Sequence, residues 1–281
     1  MQEAPRVLLQ KMSDREYATY SKILGYKEIK VNGVYWNQVR PFFFRPLLPF
    51  RNYAPESVYP PRDSILGGFQ FAVTAGVTAN SCLNYRMFDN ARSYSLQSLD
   101  HNRRRQVKLA SKHFSVKPIK DVNEFKVHAY PVYLSFDERT HYKTGAWRRQ
   151  VSGFARWADA VFKIPKIVLF GGYEGAKLRG VCVFMCVEDT VIYATSFCDT
   201  ESLQGHLPDL MLHSVREMAA HHPFVSQVYA GMCIGERGLD DFYALRGCTL
   251  VKKPAVLHLS PLANGLLRFG MPKLYAKLLG R

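Results

Sequence analysis

The stretch Gly238-Leu239-Asp240-Asp241-Phe242-Tyr243-Ala244-Leu245-Arg246-Gly247-Cys248, GLDDFYALRGC, reads as a short helix set just before a strand. Asp240 or Asp241 supplies a cap, Phe242 and Leu245 turn inward, and Gly247 closes the helix in a left-handed turn. Two readings of Tyr243 stand open here: a half-buried packing ring, or a phenol in a cleft that meets a reacting group. The segments on either side, SQVYAGM (226–232) and TLVKKPAVLHL (249–259), have strand character and make the stretch a link between strands.

Working upstream, LPDLMLHSVREMAAHH (207–222) is a helix with Pro208 and Asp209 in its first turn, ending before Pro223. The loop CDTESLQGH (198–206) leads into it. Three strands come before that: KIVLFGGYEG (166–175) and KLRGVCVFMCVED (177–189), turning at Gly175, and then TVIYATSF (190–197). Helices are expected over 95–114, 121–136 and 146–163. The first of them carries Arg104, Lys108 and Lys112 at four-residue spacing as a basic ridge. Near the start, SDREYATYSKIL (13–24) is a helix with Ser13 and Glu16 as a capping box and Gly25 as its stop. A hairpin turns at Asn32-Gly33, residues 51–64 form a loop, and FQFAVTAGV (69–77) resumes strand character. The second half thus predicts an α/β fold, a mixed sheet with helices on both faces. Internal repeats and the common nucleotide-binding and protease signatures are absent from the sequence.

With 281 residues and 47% hydrophobic content the chain has ample material for a packed core. No apolar run approaches the roughly 20 residues of a membrane span, and MQEAPRVLLQKMSDRE has no apolar signal core, so the cytoplasm is the expected compartment. Six cysteines include no C-x-x-C pair. Cys182 and Cys186 share one face of a strand, which suits reduced, buried thiols, and neither a disulfide framework nor a metal site is expected. The formal charge of +15 is lopsided: residues 1–150 hold 24 Lys and Arg against 12 Asp and Glu, whereas 151–281 hold 14 against 11. That excess suits a polyanionic partner or serves solubility.

The order of elements, ending in FYALRGC before a last strand, resembles the GCN5-related N-acetyltransferase (GNAT) fold. YSLQSLDHNRRRQVKLASKHFSVKPIKDVNEF (94–125) is similar to the segment opening the second domain of Fem-type peptidoglycan aminoacyltransferases and their acetyltransferase-like relatives. The resemblance covers roughly residues 95–260, and the first 90 match loosely as a reduced copy. It implies a reduced N-terminal GNAT-like unit (1–94) packed on a fuller GNAT-like acyltransferase domain (95–262), followed by a basic amphipathic tail (263–281). It also implies an acyl donor, either acyl-CoA such as acetyl-CoA or aminoacyl-tRNA, and a small-molecule or envelope-precursor acceptor. Acetyl-CoA-using members grip pyrophosphate with an Arg/Gln-x-x-Gly-x-Gly/Ala loop. Here that place holds CDTESLQGHLPD (198–209), with one glycine and three acids, and Ser202, Gln204, Gly205 and His206 are the positions that would meet a donor. Fem-type enzymes also lack that loop and use aminoacyl-tRNA, which suits the basic first half.

Tyr243 occupies the position of the GNAT tyrosine that protonates a leaving group. It is expected to project between strands 190–197 and 226–232, which splay apart in that fold. Asp209 lies one turn before His213 and could orient it as a base; the alternative is a dipole-stabilised acid beside a core-edge histidine. Arg139, Tyr142, Tyr193 and Arg246 are substrate-facing candidates, with a solvated connector as the alternative for 136–149. Arg104, Lys108 and Lys112 are the expected polyanion site. The tail, with Leu267, Met271, Leu274 and Leu278 on one side, is expected to be dispensable for folding and to offer a peripheral membrane contact. A catalytically silent module of the same fold, binding RNA, membrane or a protein, is the competing reading. No sequence-specific DNA binding is expected.

Overall fold

The computed structural model describes residues 7–141, 145–233 and 237–280. In chain order its first elements are β1 (Lys11–Met12), α1 (Asp14–Ile23), β2 (Glu28–Val31), β3 (Val34–Arg40), β4 (Phe43–Pro46), β5 (Gly68–Ala72) and β6 (Ser81–Phe88). There follow α2 (His101–His113), β7 (Ser115–Pro118), α3 (Val122–Thr140), α4 (Val151–Phe162), β8 (Val168–Glu174), β9 (Lys177–Val187) and β10 (Thr190–Cys198). The last are α5 (Thr200–Gln204), α6 (Leu207–Ala220), β11 (Gln227–Met232), α7 (Arg237–Ala244), β12 (Thr249–Leu259), α8 (Pro261–Gly265) and α9 (Pro272–Leu278). They form two compact units, each discontinuous in sequence. Unit 1 takes the described residues of 1–20, 87–231 and 235–249; unit 2 takes those of 21–86, 232–234 and 250–281. Boundaries at 94/95 and 262/263 do not coincide with this partition.

The strands of unit 1 run in the order β11-β10-β9-β8-β7, with β1 beside the end of β9. β10 and β11 are parallel, while β9 is antiparallel to both β10 and β8. The run VCVFMCV in β9 is buried throughout, because helices cover both faces and neither set of alternate side chains meets water. Cys182, Phe184 and Cys186 face a cluster shared with Val107 and Ala110 of α2 and with Leu207, Met211 and Val215 of α6. The opposite face carries the aromatic rings of Phe125, Tyr133, Phe154 and Trp157 from α3 and α4; Phe125 stacks on Phe154, and the other rings meet one another and Phe197 tilted or edge-on.

The helix expected from Ser95 begins six residues later. Two short turns precede it, and the Asp100 carboxylate accepts from the Arg103 backbone N–H at 3.0 Å, fixing the N-terminus there. The capping box at the start of α1 forms as expected: Glu16 N–H donates to Ser13 Oγ and Ser13 N–H to Glu16 Oε2. Glu16 also meets Lys166 at 2.8 Å, and these bonds lower its carboxyl to about 2.

Unit 2 has strand order β2-β3-β4-β5-β12-β6. Asn32 and Gly33 turn the β2–β3 hairpin with φ of 44° and 84°, the left-handed pair that an Asn-Gly loop adopts at little cost. β12 lies antiparallel to β5, Ala255 opposite Ala72 and Leu259 opposite Gly68, so the last strand of the chain completes a sheet begun near its start. The tail is part of this core. Leu278 is buried with Phe43 and Leu257, and Leu267 and Leu279 pack on them. The Leu278 carbonyl accepts from the buried Gln70 side-chain amide at 2.8 Å. That overturns the expectation of a tail dispensable for folding, because deletion would leave an apolar hole and remove the shortest of the hydrogen bonds donated by the buried Gln70 amide.

Candidate active site

The parallel ladder between β10 and β11 is short. Thr190, Val191 and Ile192 pair with Gln227, Val228 and Tyr229, yet β10 continues to Cys198 and β11 to Met232. The two strands part beyond Ile192 and Tyr229. β10 also carries a bulge, its register against β9 shifting between Tyr193 and Thr195, so that Val191 and Tyr193 face the α6 side while Phe197 reaches the α3–α4 aromatics.

Tyr193 is the first residue past the paired segment, and the Tyr243 phenol lies close enough to act on it electrostatically. Burial, then the neighbouring Cys182 thiol and Tyr243, push the Tyr193 pKa well above its ordinary range. It stays a neutral hydrogen-bond donor. Tyr243 is only 8% exposed and packs edge-on against Phe88 and Phe242 inside the cluster of unit 1. The rotation of α7 differs from that expected. Leu239, Phe242, Tyr243 and Arg246 turn inward at i, i+3, i+4 and i+7, and Leu245 is 53% exposed. An arginine at an inward position hid that period in the sequence.

Arg246 is fixed by several partners. Its Nη2 meets Asp209 Oδ2 at 2.7 Å, its Nη1 donates to the Phe242 carbonyl, and its guanidinium lies 3.6 Å over the Phe242 ring. Arg103 stands 3.8 Å from the other Asp209 oxygen. Asp209 therefore does not orient His213. The imidazole Nδ1 instead pairs with the Tyr94 hydroxyl at 2.9 Å, and Nε2 faces Glu217 at 3.6 Å. Burial and the adjacent Arg216 lower the His213 pKa to about 4, so it is neutral near pH 7. Arg216, missed by sequence reading, is buried between Phe88 and Tyr94 at 4.2 and 3.7 Å and donates to the Arg246 carbonyl at 2.6 Å. The structure brings Asp209 and Arg246 together and pairs His213 with Tyr94 instead, with Arg216 touching both groups.

The connection from β10 to α6 is acidic and already occupied by its own contacts. Asp199 caps α5 by accepting from the Ser202 N–H at 2.9 Å, and the Ser202 hydroxyl folds back on the Asp199 carbonyl. Arg179 binds Glu174, Asp199 and Glu201 at 2.6 to 2.9 Å, leaving an excess of two negative charges in that group. Gln204 is exposed, and Gly205 presses against the Phe114 ring, where a Cβ would lie 2.5 Å away. His206 takes a left-handed conformation at the start of α6, Leu207 is fully buried, and Pro208 has no N–H to offer. A diphosphate placed here meets carboxylates and a sealed helix start.

Arg139 is held at the end of β10, donating to Thr200 Oγ1 and to the Cys198 carbonyl at 3.0 and 3.1 Å. Tyr142 lies outside the described residues. Nearby Arg148, also unforeseen, is buried over the Tyr133 and Trp157 rings, with Nε and Nη1 making no hydrogen bond. On the outer face of α2, Arg104, Lys108 and Lys112 join His101, Arg105 and Leu109 around an open depression of about 420 Å³. No acid lies within α2 to offset them. Among the described residues no three His, Cys, Asp or Glu side chains are grouped to hold a metal.

A mixed sheet whose parallel pair unzips beside a long buried helix defines a GNAT-like fold. Solved structures share it along nearly the whole chain. FemX superposes with a TM-score of 0.59 at 12% identity, covering 90% of this chain and 92% of its own. The C-terminal domain of a putative lysylphosphatidylglycerol synthetase from Agrobacterium fabrum gives 0.64 at 10% identity, covering 93% and 92%. L-PGS from Bacillus licheniformis gives 0.57 at 11%, covering 98% and 99%. At these identities the likeness is one of fold. No family model matches the chain, and no curated protein matches it in sequence.

Proposed function

We propose that the protein is a GNAT-like aminoacyltransferase, moving an aminoacyl group from tRNA to an amine or hydroxyl acceptor. The observation that carries this reading is the β10–α6 connection. Where CoA-dependent relatives would bind a pyrophosphate on bare backbone amides, this chain has Arg179 holding three carboxylates and a helix start closed by Leu207 and Pro208. An aminoacyl ester needs no diphosphate at that point. Its phosphates belong to the nucleic acid, and the acid-free face of α2 suits them.

In this reading the ester enters where β10 and β11 part. The acceptor attacks the carbonyl directly and the ribose oxygen leaves with a proton. Tyr193, a neutral phenol just past the paired segment, and Tyr243 beside it are the groups we assign to donate a hydrogen bond to it. The FemX and lysylphosphatidylglycerol synthetase structures support a transferase of this general class through shared fold.

The silent-module reading is favoured by one observation, the burial of Tyr243 in the core of unit 1. Both readings meet the same experiment. The full chain is incubated with bulk tRNA charged with labelled amino acids and an extract of amine-bearing lipids and envelope precursors, with acetyl-CoA in a parallel arm. Label should leave tRNA for an acceptor, and CoA should neither support transfer nor raise the melting temperature. Transfer from acetyl-CoA would overturn the donor assignment. Tight tRNA binding without transfer would favour the silent module.

A further inference from the structure

The C-terminal segment of unit 2 is apolar on two faces. Leu267, Leu278 and Leu279 point inward onto Phe43 and Leu257. Facing outward, Leu262, Leu266, Phe269 and Met271 are 72%, 59%, 82% and 51% exposed. A helical segment that serves only its own core keeps its outer stripe polar. Here positions 262, 266 and 269 repeat at i, i+4 and i+7 across α8 and the π-helical turn Leu266–Gly270.

The stripe continues into a neighbouring loop. Ser260 donates from its backbone N–H to the Gly67 carbonyl and from Oγ to the Leu66 carbonyl, both at 2.9 Å. These bonds bring the exposed Ile65 and Leu66 to the start of α8, and Gly68 N–H, bonded to the Phe42 carbonyl, adds the exposed Phe42. The apolar surface is rimmed by cations. Arg268, Lys273 and Lys277 are exposed, the Arg268 guanidinium lies 5.6 Å over the Phe269 ring, and residues 260–281 contain no acid.

We propose that this face of unit 2 docks on a lipid bilayer bearing anionic headgroups. Leu262, Leu266, Phe269 and Met271 enter the boundary between headgroups and acyl chains, and Arg268, Lys273 and Lys277 sit at phosphate level, their stems lying along the apolar surface. Charge separates this occupant from a second copy of the chain. A two-fold pairing of the face with itself would set cations against cations with no acid in the segment to answer them. The contact is peripheral, because no described helix is long and apolar enough to cross a membrane. It stands independently of the aminoacyl transfer proposed above.

The test is sedimentation of the full chain with vesicles of phosphatidylcholine alone or with one third phosphatidylglycerol. Phe269→Glu and Leu262→Glu change side chains already in water, and thermal melting checks that they fold. The wild type should pellet with the anionic vesicles, less so in high salt. Each variant should lose roughly tenfold in partition, while Val127→Glu on the exposed side of α3 should match wild type. The proposal is overturned by binding to neutral vesicles alone, or by variants that bind as wild type does. It is equally overturned if the chain ignores vesicles and sediments as a dimer that Phe269→Glu dissociates, in which case a second copy covers the face.

Discussion

Tyr243 and His213 each carry a titratable group, and the structure gives them different tests. Tyr243→Phe retains the ring against Phe88 and removes only the hydroxyl. If the phenol meets the leaving oxygen, turnover should fall roughly 10²-fold, with stability changed by less than about 1 kcal/mol. Equal loss of stability and of activity would mark it as a packing residue. His213 is neutral in the folded chain, with a pKa near 4 against 6.5 when unfolded. Between those values the unfolded state binds more protons, so the stabilisation is full above pH 6.5 and is lost as pH falls toward 4. Wild type should lose on the order of 2–3 kcal/mol between pH 7 and 4.5 from this group. His213→Gln, which retains a partner for Tyr94, should flatten that window in urea denaturation. The Glu16–Lys166 pair gives its own loss only at lower pH, as the Glu16 carboxyl titrates toward 2.

Helix α2 allows a prediction of another kind, because its charges act together and through the solvent. Arg104→Glu with Lys108→Glu should weaken tRNA binding and reduce the slope of log affinity against log salt by roughly 1.5 to 2. A filter-binding titration at several salt concentrations reads both, and an unchanged slope removes α2 from the contact. Elements were the most legible level of the sequence. The β8–β9–β10 run, α6 and the Asn-Gly hairpin declare themselves through periodicity and turn chemistry that local sterics impose. β6 was missed although Leu83, Tyr85 and Met87 alternate with Asn84 and Arg86, because the polar Ser81 at its start and the polar Asp89-Asn90 pair after its end leave only a short run of that alternation. The site was less legible. The strand opening appears in a sequence only through resemblance; Arg216 owes its burial to Phe88 and Tyr94, far away in the chain, and Arg148 to Tyr133 and Trp157 on the two helices that flank it. The i,i+4 spacing of Asp209 and His213 was real, yet Arg246 and Tyr94 supplied better partners for each.

At the level of the whole chain, removing residues 263–281 should unfold unit 2 or destabilise it by at least about 3–5 kcal/mol, from the lost Leu267 and Leu278 packing and the lost hydrogen bond from Gln70 to the Leu278 carbonyl. Limited proteolysis of the truncated chain would show it, as cleavage within 21–86 that the full chain resists. The pairing of β5 with β12 has a consequence in time as well. Phe43, Phe44, Phe69 and Phe71 leave the ribosome long before residues 250–259, and at about 5–20 residues per second the wait is roughly 10–40 s. Through that interval the nascent chain holds a phenylalanine-rich sheet edge without its closing strand, so chaperone cover during synthesis should raise the yield of this protein.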